Sequence, residues 1–228
     1  KAVVDGGYDL GLAFDGDADR CLAVDETGEE IDGDQIMAVC AEYLTAQGKL
    51  KSEGFVATVM SNLGLHKFCE ENHLKLLCAA VGDRNVLELM QKESMVLGGE
   101  QSGHIIFLEH MTTGDGQLAA LQFLSILGQS GKKASELAGQ ITHYPQLLQN
   151  VKVGSNEEKT AILNSAELAA IVAREEERLA GHGRILLRAS GTEPLIRVMA
   201  EADTQDLAEL VVKTLVQAVE NIQKILNK

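Results

Sequence analysis

The chain has 228 residues, with 20 Lys and Arg against 34 Asp and Glu, for a formal net charge of −14. That excess of acid argues against nucleic acid and anionic membranes as partners, because both call for a basic face. A content of 45% hydrophobic and 24% charged residues is that of a globular chain with a real core, one or two domains in size, and excludes disorder.

The chain opens at Lys1 and runs through KAVVDGGYDLGLAF into a first strand at 10–14, which reads as a piece of a longer protein. LGLAF (10–14), FVATVM (55–60) and LKLLCAAV (74–81) are near-continuous apolar runs, the pattern of strands buried on both faces, and HIIFLE (104–109) is a fourth strand. Between them, a helix opens at Asp34 with Ile36, Met37, Val39, Cys40, Tyr43 and Leu44 on one face and closes at Gly48. Further helices are expected near 64–72, 83–92 and 115–127, the last entered through Thr113 or Asp115 as cap. Such alternation predicts an α/β domain with a mixed or parallel sheet. The pattern breaks at His143-Tyr144-Pro145. Beyond it, a strand near 147–153, a helix near 165–180, strands at 184–189 and 194–200 and a helix over 204–226 make a smaller α+β unit of order β-α-β-β-α. Four cysteines without a C-x-x-C pair read as reduced thiols, and no run approaches the ~18 apolar residues of a membrane span. A cytoplasmic protein is expected.

Three loops carry chemistry. Phe14-Asp15-Gly16-Asp17-Ala18-Asp19-Arg20 sets three carboxylates at alternate positions after a strand, a donor set suited to a hard divalent cation. A solvated acidic turn is the plain alternative. An EF-hand is rejected, since its sixth position needs Gly and holds Arg20. A strand followed by D-x-D also opens dehalogenase-type phosphatases, with Ser61 and Gly82-Asp83 as imitations of their later motifs. Next, Gly98-Gly99-Glu100-Gln101-Ser102-Gly103-His104 offers an acceptor, an amide, a hydroxyl and an imidazole on a glycine-flanked loop, a set that suits sugar hydroxyls; structurally it is a hairpin with polar tips. Finally, Arg188-Ala189-Ser190-Gly191-Thr192-Glu193-Pro194, with Arg197 close behind, has the guanidinium, hydroxyl and glycine-amide groups that hold a phosphate dianion.

Taken in order, FDGDADR, VGDRNVLE, GGEQSGH, TTGDGQ and RASGTEP resemble the α-D-phosphohexomutase superfamily over essentially the whole chain, and the Glu100–His104 wording resembles its phosphoglucosamine mutase branch rather than the phosphomannomutases or phosphoglucomutases. The resemblance implies a domain end at 1–30 with the metal loop, a sugar-binding domain at 31–144 and a phosphate-binding domain at 145–228. It implies Mg²⁺ on Asp15, Asp17 and Asp19, with Arg20 beside the transferring phosphoryl group. Glu100 and Ser102 would read sugar hydroxyls, supported by Gln101 and His104. Arg188, Ser190, Gly191, Thr192 and Arg197 would clamp the non-reacting phosphate of a hexosamine phosphate. Arg84 would lie near the site. Ala18 stands where the superfamily often has Gly. The implied reaction interconverts glucosamine 6-phosphate and glucosamine 1-phosphate through a phosphoserine and a bisphosphate, for UDP-N-acetylglucosamine and cell-wall synthesis. The superfamily's nucleophilic serine belongs to a serine-histidine-asparagine-proline loop near the N-terminus of the full protein, and no serine here has that context, so the resemblance implies that the N-terminal domains are missing and that this chain alone is inactive. A homodimer is a candidate assembly.

Overall fold

The computed structural model describes residues 1–191 and 193–227, and they divide into two compact units, Lys1–Thr142 and His143–Lys228. In the first, α1 (Ala2–Gly6) precedes an antiparallel sheet of β1 (Leu10–Phe14), β2 (Cys21–Asp25) and β3 (Glu30–Ile31). Then come α2 (Gly33–Ala46), β4 (Gly54–Thr58), α3 (Leu63–Glu71), β5 (Lys75–Ala79), α4 (Asp83–Glu93), β6 (Leu97–Gly99), β7 (Ile105–Phe107), α5 (Gly116–Ser130) and α6 (Ala134–Ala138). Their sheet has the order β5-β4-β6-β7, parallel except for β7, which forms a hairpin with β6. Helices α2 and α5 pack together, α2 also against β4 and β6, and α5 also against β1, β2 and β7.

Local chemistry explains the main boundaries. Asp32, two residues before the expected Asp34, starts α2. Its carboxylate accepts the Gln35 N–H at 3.0 Å while the Gln35 side chain accepts the Asp32 N–H at 3.1 Å, a reciprocal cap worth about 1 kcal/mol. Asp115 caps α5 by accepting the Leu118 N–H at 3.0 Å. Ile36, Met37, Val39 and Cys40 are buried with Phe55 and Phe123 in one core, where each large side chain contributes about 1.5–3 kcal/mol.

The second unit comprises β8 (Gln146–Lys152), α7 (Asn156–Leu163), α8 (Ala166–Leu179), β9 (Gly183–Ala189), β10 (Leu195–Ala202) and α9 (Gln205–Leu226). Its sheet, β8-β10-β9, is antiparallel throughout, and α9 covers β8 and β10 with Ala208, Val211, Val212, Leu215 and Val219, all fully buried. The expected β-α-β-β-α order holds, with α7 as an additional short helix.

Two expectations are corrected, both on strand burial, whereas the helix at residues 2–6 was not anticipated. Of the three runs read as doubly buried strands, only β4, in the sheet interior, is buried throughout. β1 pairs antiparallel with β2 and leaves Ala13 and Phe14 exposed, while β5 is an edge strand exposing Lys75 and Cys78. An apolar run records burial of some kind, but not whether both faces are covered. The cysteines are free thiols. Burial pushes Cys21 up to about 11 and Cys40 and Cys69 up to about 12, which makes them poor nucleophiles. No helix among the described residues is long and apolar enough to cross a membrane.

Candidate metal and sugar-phosphate loops

Asp15–Arg20 is the connection of the β1–β2 hairpin, whose last register pair is Phe14 with Cys21. Closing six residues between paired strand ends turns alternate side chains toward one point. One carboxylate oxygen from each of Asp15, Asp17 and Asp19 lies within 4.8 Å of the others. Arg20 runs alongside, with Nε 3.0 Å from Asp15 Oδ2 and its N–H donating to Asp15 Oδ1 at 3.3 Å. Partial burial works against ionisation of Asp15, yet the Arg20 amide and guanidinium together hold its carboxyl below the usual range. Asp19 Oδ1 is shielded from solvent and accepts no hydrogen bond, although Arg20 Nε approaches within 3.5 Å. Ala18 takes φ 61°, the left-handed region, which costs an alanine about 1–2 kcal/mol relative to glycine. The carboxylates converge despite that substitution.

The second loop is the β6–β7 turn. The Glu100 N–H donates to His104 O at 2.9 Å and the Gly103 N–H to Glu100 O at 3.0 Å, which closes it. Glu100 Oε1 accepts the Gly82 N–H at 3.0 Å, and Oε2 lies 3.5 Å from Ser102 Oγ. Gln101 reaches back to α2: its side-chain amide donates to Asp32 Oδ2 at 3.1 Å and its carbonyl accepts the Gly33 N–H at 2.9 Å. Here Gly33 is required, because a Cβ would be driven into the Glu100 carbonyl oxygen.

These two loops are one assembly. Arg20 and His104 form an isolated antiparallel bridge, and the Cys21 N–H donates to Gly103 O at 3.1 Å. His104, 2% exposed, accepts the Gly114 N–H on Nε2 at 3.2 Å, while its Nδ1 is buried without a hydrogen-bond partner. Around Nε2 stand Asp19 Oδ2 at 3.7 Å and Asp83 Oδ2 at 3.6 Å. Thus Asp83, at the first turn of α4, joins the site; the sequence offered it only as an imitation of a phosphatase motif and within VGDRNVLE, not as a partner of His104. The sequence assigned Arg84 a place near the site; in the fold its exposed side chain pairs with Glu88 at 2.7 Å.

In the second unit, Arg188 on β9 and Arg197 on β10 are direct register partners. Nε of each is buried without a hydrogen-bond partner, and among the described residues neither guanidinium has a carboxylate beside it. Burial, and then the like charge of Arg197, draw Arg188 below the ordinary arginine range. Two adjacent cations without a carboxylate beside either have the chemistry that could hold an anion. Ser190, 3% exposed, donates its N–H to Leu195 O at 3.0 Å and accepts the Glu193 N–H on Oγ at 3.2 Å. Gly191 is exposed at the tip, and Thr192 lies outside the described residues. Lys159 of α7, not singled out in the sequence, places Nζ 2.7 Å from Ser190 O and 3.3 Å from Glu193 O.

The family model described as "Phosphoglucomutase/phosphomannomutase, alpha/beta/alpha domain III" matches residues 32–144, and "Phosphoglucomutase/phosphomannomutase, C-terminal domain" matches 148–218. Among curated relatives, the phosphoglucosamine mutase of Ligilactobacillus salivarius is 51% identical over 96% of the chain and 48% of its own length. That of Anoxybacillus flavithermus is 56% identical over 91% of the chain and 46% of its own length. The chain therefore spans about half the length of the curated relatives it matches. Of solved structures, an Aspergillus fumigatus N-acetylphosphoglucosamine mutase superposes with a TM-score of 0.78 at 24% identity, covering 93% of this chain and 48% of that one, which is a likeness of fold. A second structure of that enzyme, in complex with GlcNAc-6P and magnesium, gives 0.75 at 23% identity over 93% of this chain and 48% of that one. With both family models matching in order across the two units, the chain belongs to the α-D-phosphohexomutase superfamily.

Proposed function

We propose that the chain is the metal-, sugar- and phosphate-binding portion of a phosphoglucosamine mutase that interconverts glucosamine 6-phosphate and glucosamine 1-phosphate in the cytoplasm. The observation that carries this reading is the lock between the first two loops, the Arg20–His104 bridge with the Cys21–Gly103 hydrogen bond. It sets a carboxylate cluster and a hydroxyl-reading glutamate side by side. Phosphoryl transfer to and from a sugar hydroxyl needs that pairing, whereas a phosphatase transferring to water has no use for the sugar reader. The curated relatives at 51% and 56% identity, both phosphoglucosamine mutases, support the amino-sugar branch.

Mg²⁺ fits Asp15, Asp17 and Asp19: all three offer hard oxygen donors within 4.8 Å, and Asp19 Oδ1 is an orphaned acceptor. Bound there, the cation supplies positive charge beside a reacting phosphoryl group. The chain's own residues do the rest. Arg20 adds a second positive charge at that point and, through Asp15, stays oriented along the cluster. Glu100, fixed by the Gly82 amide through one oxygen, keeps the other to accept sugar hydroxyl hydrogens beside Ser102. Arg188 and Arg197, with the Gly191 amide, hold the phosphate that is not being transferred. No serine of the chain supplies the phosphoserine, so binding without turnover is the expected behaviour of residues 1–228.

The metal assignment has its own test. Millimolar Mg²⁺ is expected to raise the thermal unfolding temperature of residues 1–228 by about 5–10 °C, since saturation to 100 times Kd is worth about 2.7 kcal/mol. Asp19→Asn is expected to abolish the shift. An equal Mg²⁺ response in Asp19→Asn removes Asp19 from the metal site.

A further inference from the structure

Lys159 is the one lysine buried in this unit among the described residues, 7% exposed, yet its ammonium meets no carboxylate. Its partners are two carbonyl oxygens on either side of the phosphate-loop tip, Ser190 O at 2.7 Å and Glu193 O at 3.3 Å. Burying an ammonium against carbonyls alone is costly, and a methionine of the same length would pack there without that cost. We propose that Lys159 is a positioning residue for phosphate binding, an internal strut that sets the direction of the loop's peptide groups; the inference rests on reading Arg188–Glu193 as a phosphate loop.

The geometry follows from peptide planarity. In a trans peptide the C=O and the following N–H point in opposite directions, so holding Ser190 C=O on the Lys159 ammonium turns the Gly191 N–H away from α7. Gly191 is exposed, and a Cβ built on it meets nothing within 4 Å, so open space lies on its side of the loop. Glu193 is followed by Pro194, which has no N–H, and its carbonyl accepts the Leu195 N–H at 2.8 Å as well as the Lys159 ammonium at 3.3 Å, so Ser190 O is the carbonyl whose direction depends on Lys159. The Glu193 N–H on Ser190 Oγ closes the same turn from within. Lys159 therefore reaches the ligand only through the loop. Arg188 and Arg197 are positioned by strand pairing and do not depend on it.

The test is calorimetric titration of glucosamine 6-phosphate into residues 1–228 carrying Lys159→Met, Lys159→Arg or Arg188→Met, together with amide hydrogen exchange of residues 188–195 in the ligand-free protein. Lys159→Met is expected to raise Kd about tenfold and to speed exchange at Ser190 and Glu193, while Lys159→Arg, which keeps a cationic donor, restores affinity to within about threefold. A merely structural lysine would lower the unfolding temperature of the unit without that split between Met and Arg. Should Lys159→Met fail to fold, Lys159→Gln replaces it with the same expectation. Affinity unchanged in Lys159→Met but lost in Arg188→Met overturns the role of Lys159 alone. Absence of binding in the unsubstituted chain overturns the phosphate reading and this proposal with it.

Discussion

Replacing Arg188 with methionine is expected to weaken binding of glucosamine 6-phosphate about a hundredfold while leaving the second unit at least as stable as before. The two effects have one cause. Arg188 and Arg197 are paired across β9 and β10 with their Nε atoms buried and without partners, so each pays desolvation and mutual repulsion in the empty protein. A phosphate dianion relieves both at once. Losing one guanidinium removes charge-assisted hydrogen bonds of about 1.5–3 kcal/mol, and a hundredfold change corresponds to about 2.7 kcal/mol. Methionine keeps the apolar stem of the side chain, so packing is retained while the repulsion disappears. A titration paired with thermal unfolding measures both effects; a variant that binds normally, or one that loses stability in step with affinity, would contradict the account. The same site would let a chain of net charge −14 hold an anion, since the local cations outweigh distant charges that salt screens beyond about 8–10 Å.

Gly103→Ala is expected to destabilise the first unit by about 3–5 kcal/mol and to abolish its response to Mg²⁺. Gly103 has φ 91°, where an L side chain is strained, and a Cβ there would be driven into the Cys21 carbonyl oxygen, a rigid backbone atom with no rotamer to move away. The contact lies where the sugar loop is fastened to the base of the carboxylate hairpin, through the Cys21 N–H on Gly103 O at 3.1 Å. Forcing that seam apart displaces Asp19 and Arg20 together with His104. Urea unfolding with and without Mg²⁺ measures both consequences. A variant of near-normal stability that still responds to Mg²⁺ would show that the two loops are independent.

What could be read from the residues and what could not follow from physics. The DADR, EQSGH and RASGTEP loops were legible because each concentrates groups that no ordinary turn collects, and each does sit at a strand end. Helix α2 was legible in its apolar stripe, although its start was misplaced by two residues because the reciprocal Asp32–Gln35 cap is a pairing rather than a run. The β1–β2 hairpin was not legible: CLAVD is a short alternating strand whose partner is decided by closure of the acidic loop, a tertiary event. Nor was Lys159, which looks in sequence like any solvated lysine of an acidic helix; only the fold buries it against the carbonyls of Ser190 and Glu193. Asp83 was similarly hidden, since its approach to His104 spans 21 positions and depends on the β6–β7 turn reaching the start of α4.

The central claim, that these residues form the ligand-holding portion of a phosphoglucosamine mutase without its phosphoryl donor, is tested most directly by phosphorus NMR of purified residues 1–228 with glucosamine 6-phosphate and Mg²⁺. The predicted result is a substrate resonance that broadens or shifts on binding, loses that response in Arg188→Met, and yields no glucosamine 1-phosphate signal on prolonged incubation. A growing glucosamine 1-phosphate resonance, release of inorganic phosphate that depends on Asp15, or a substrate resonance unaffected by the protein would contradict it.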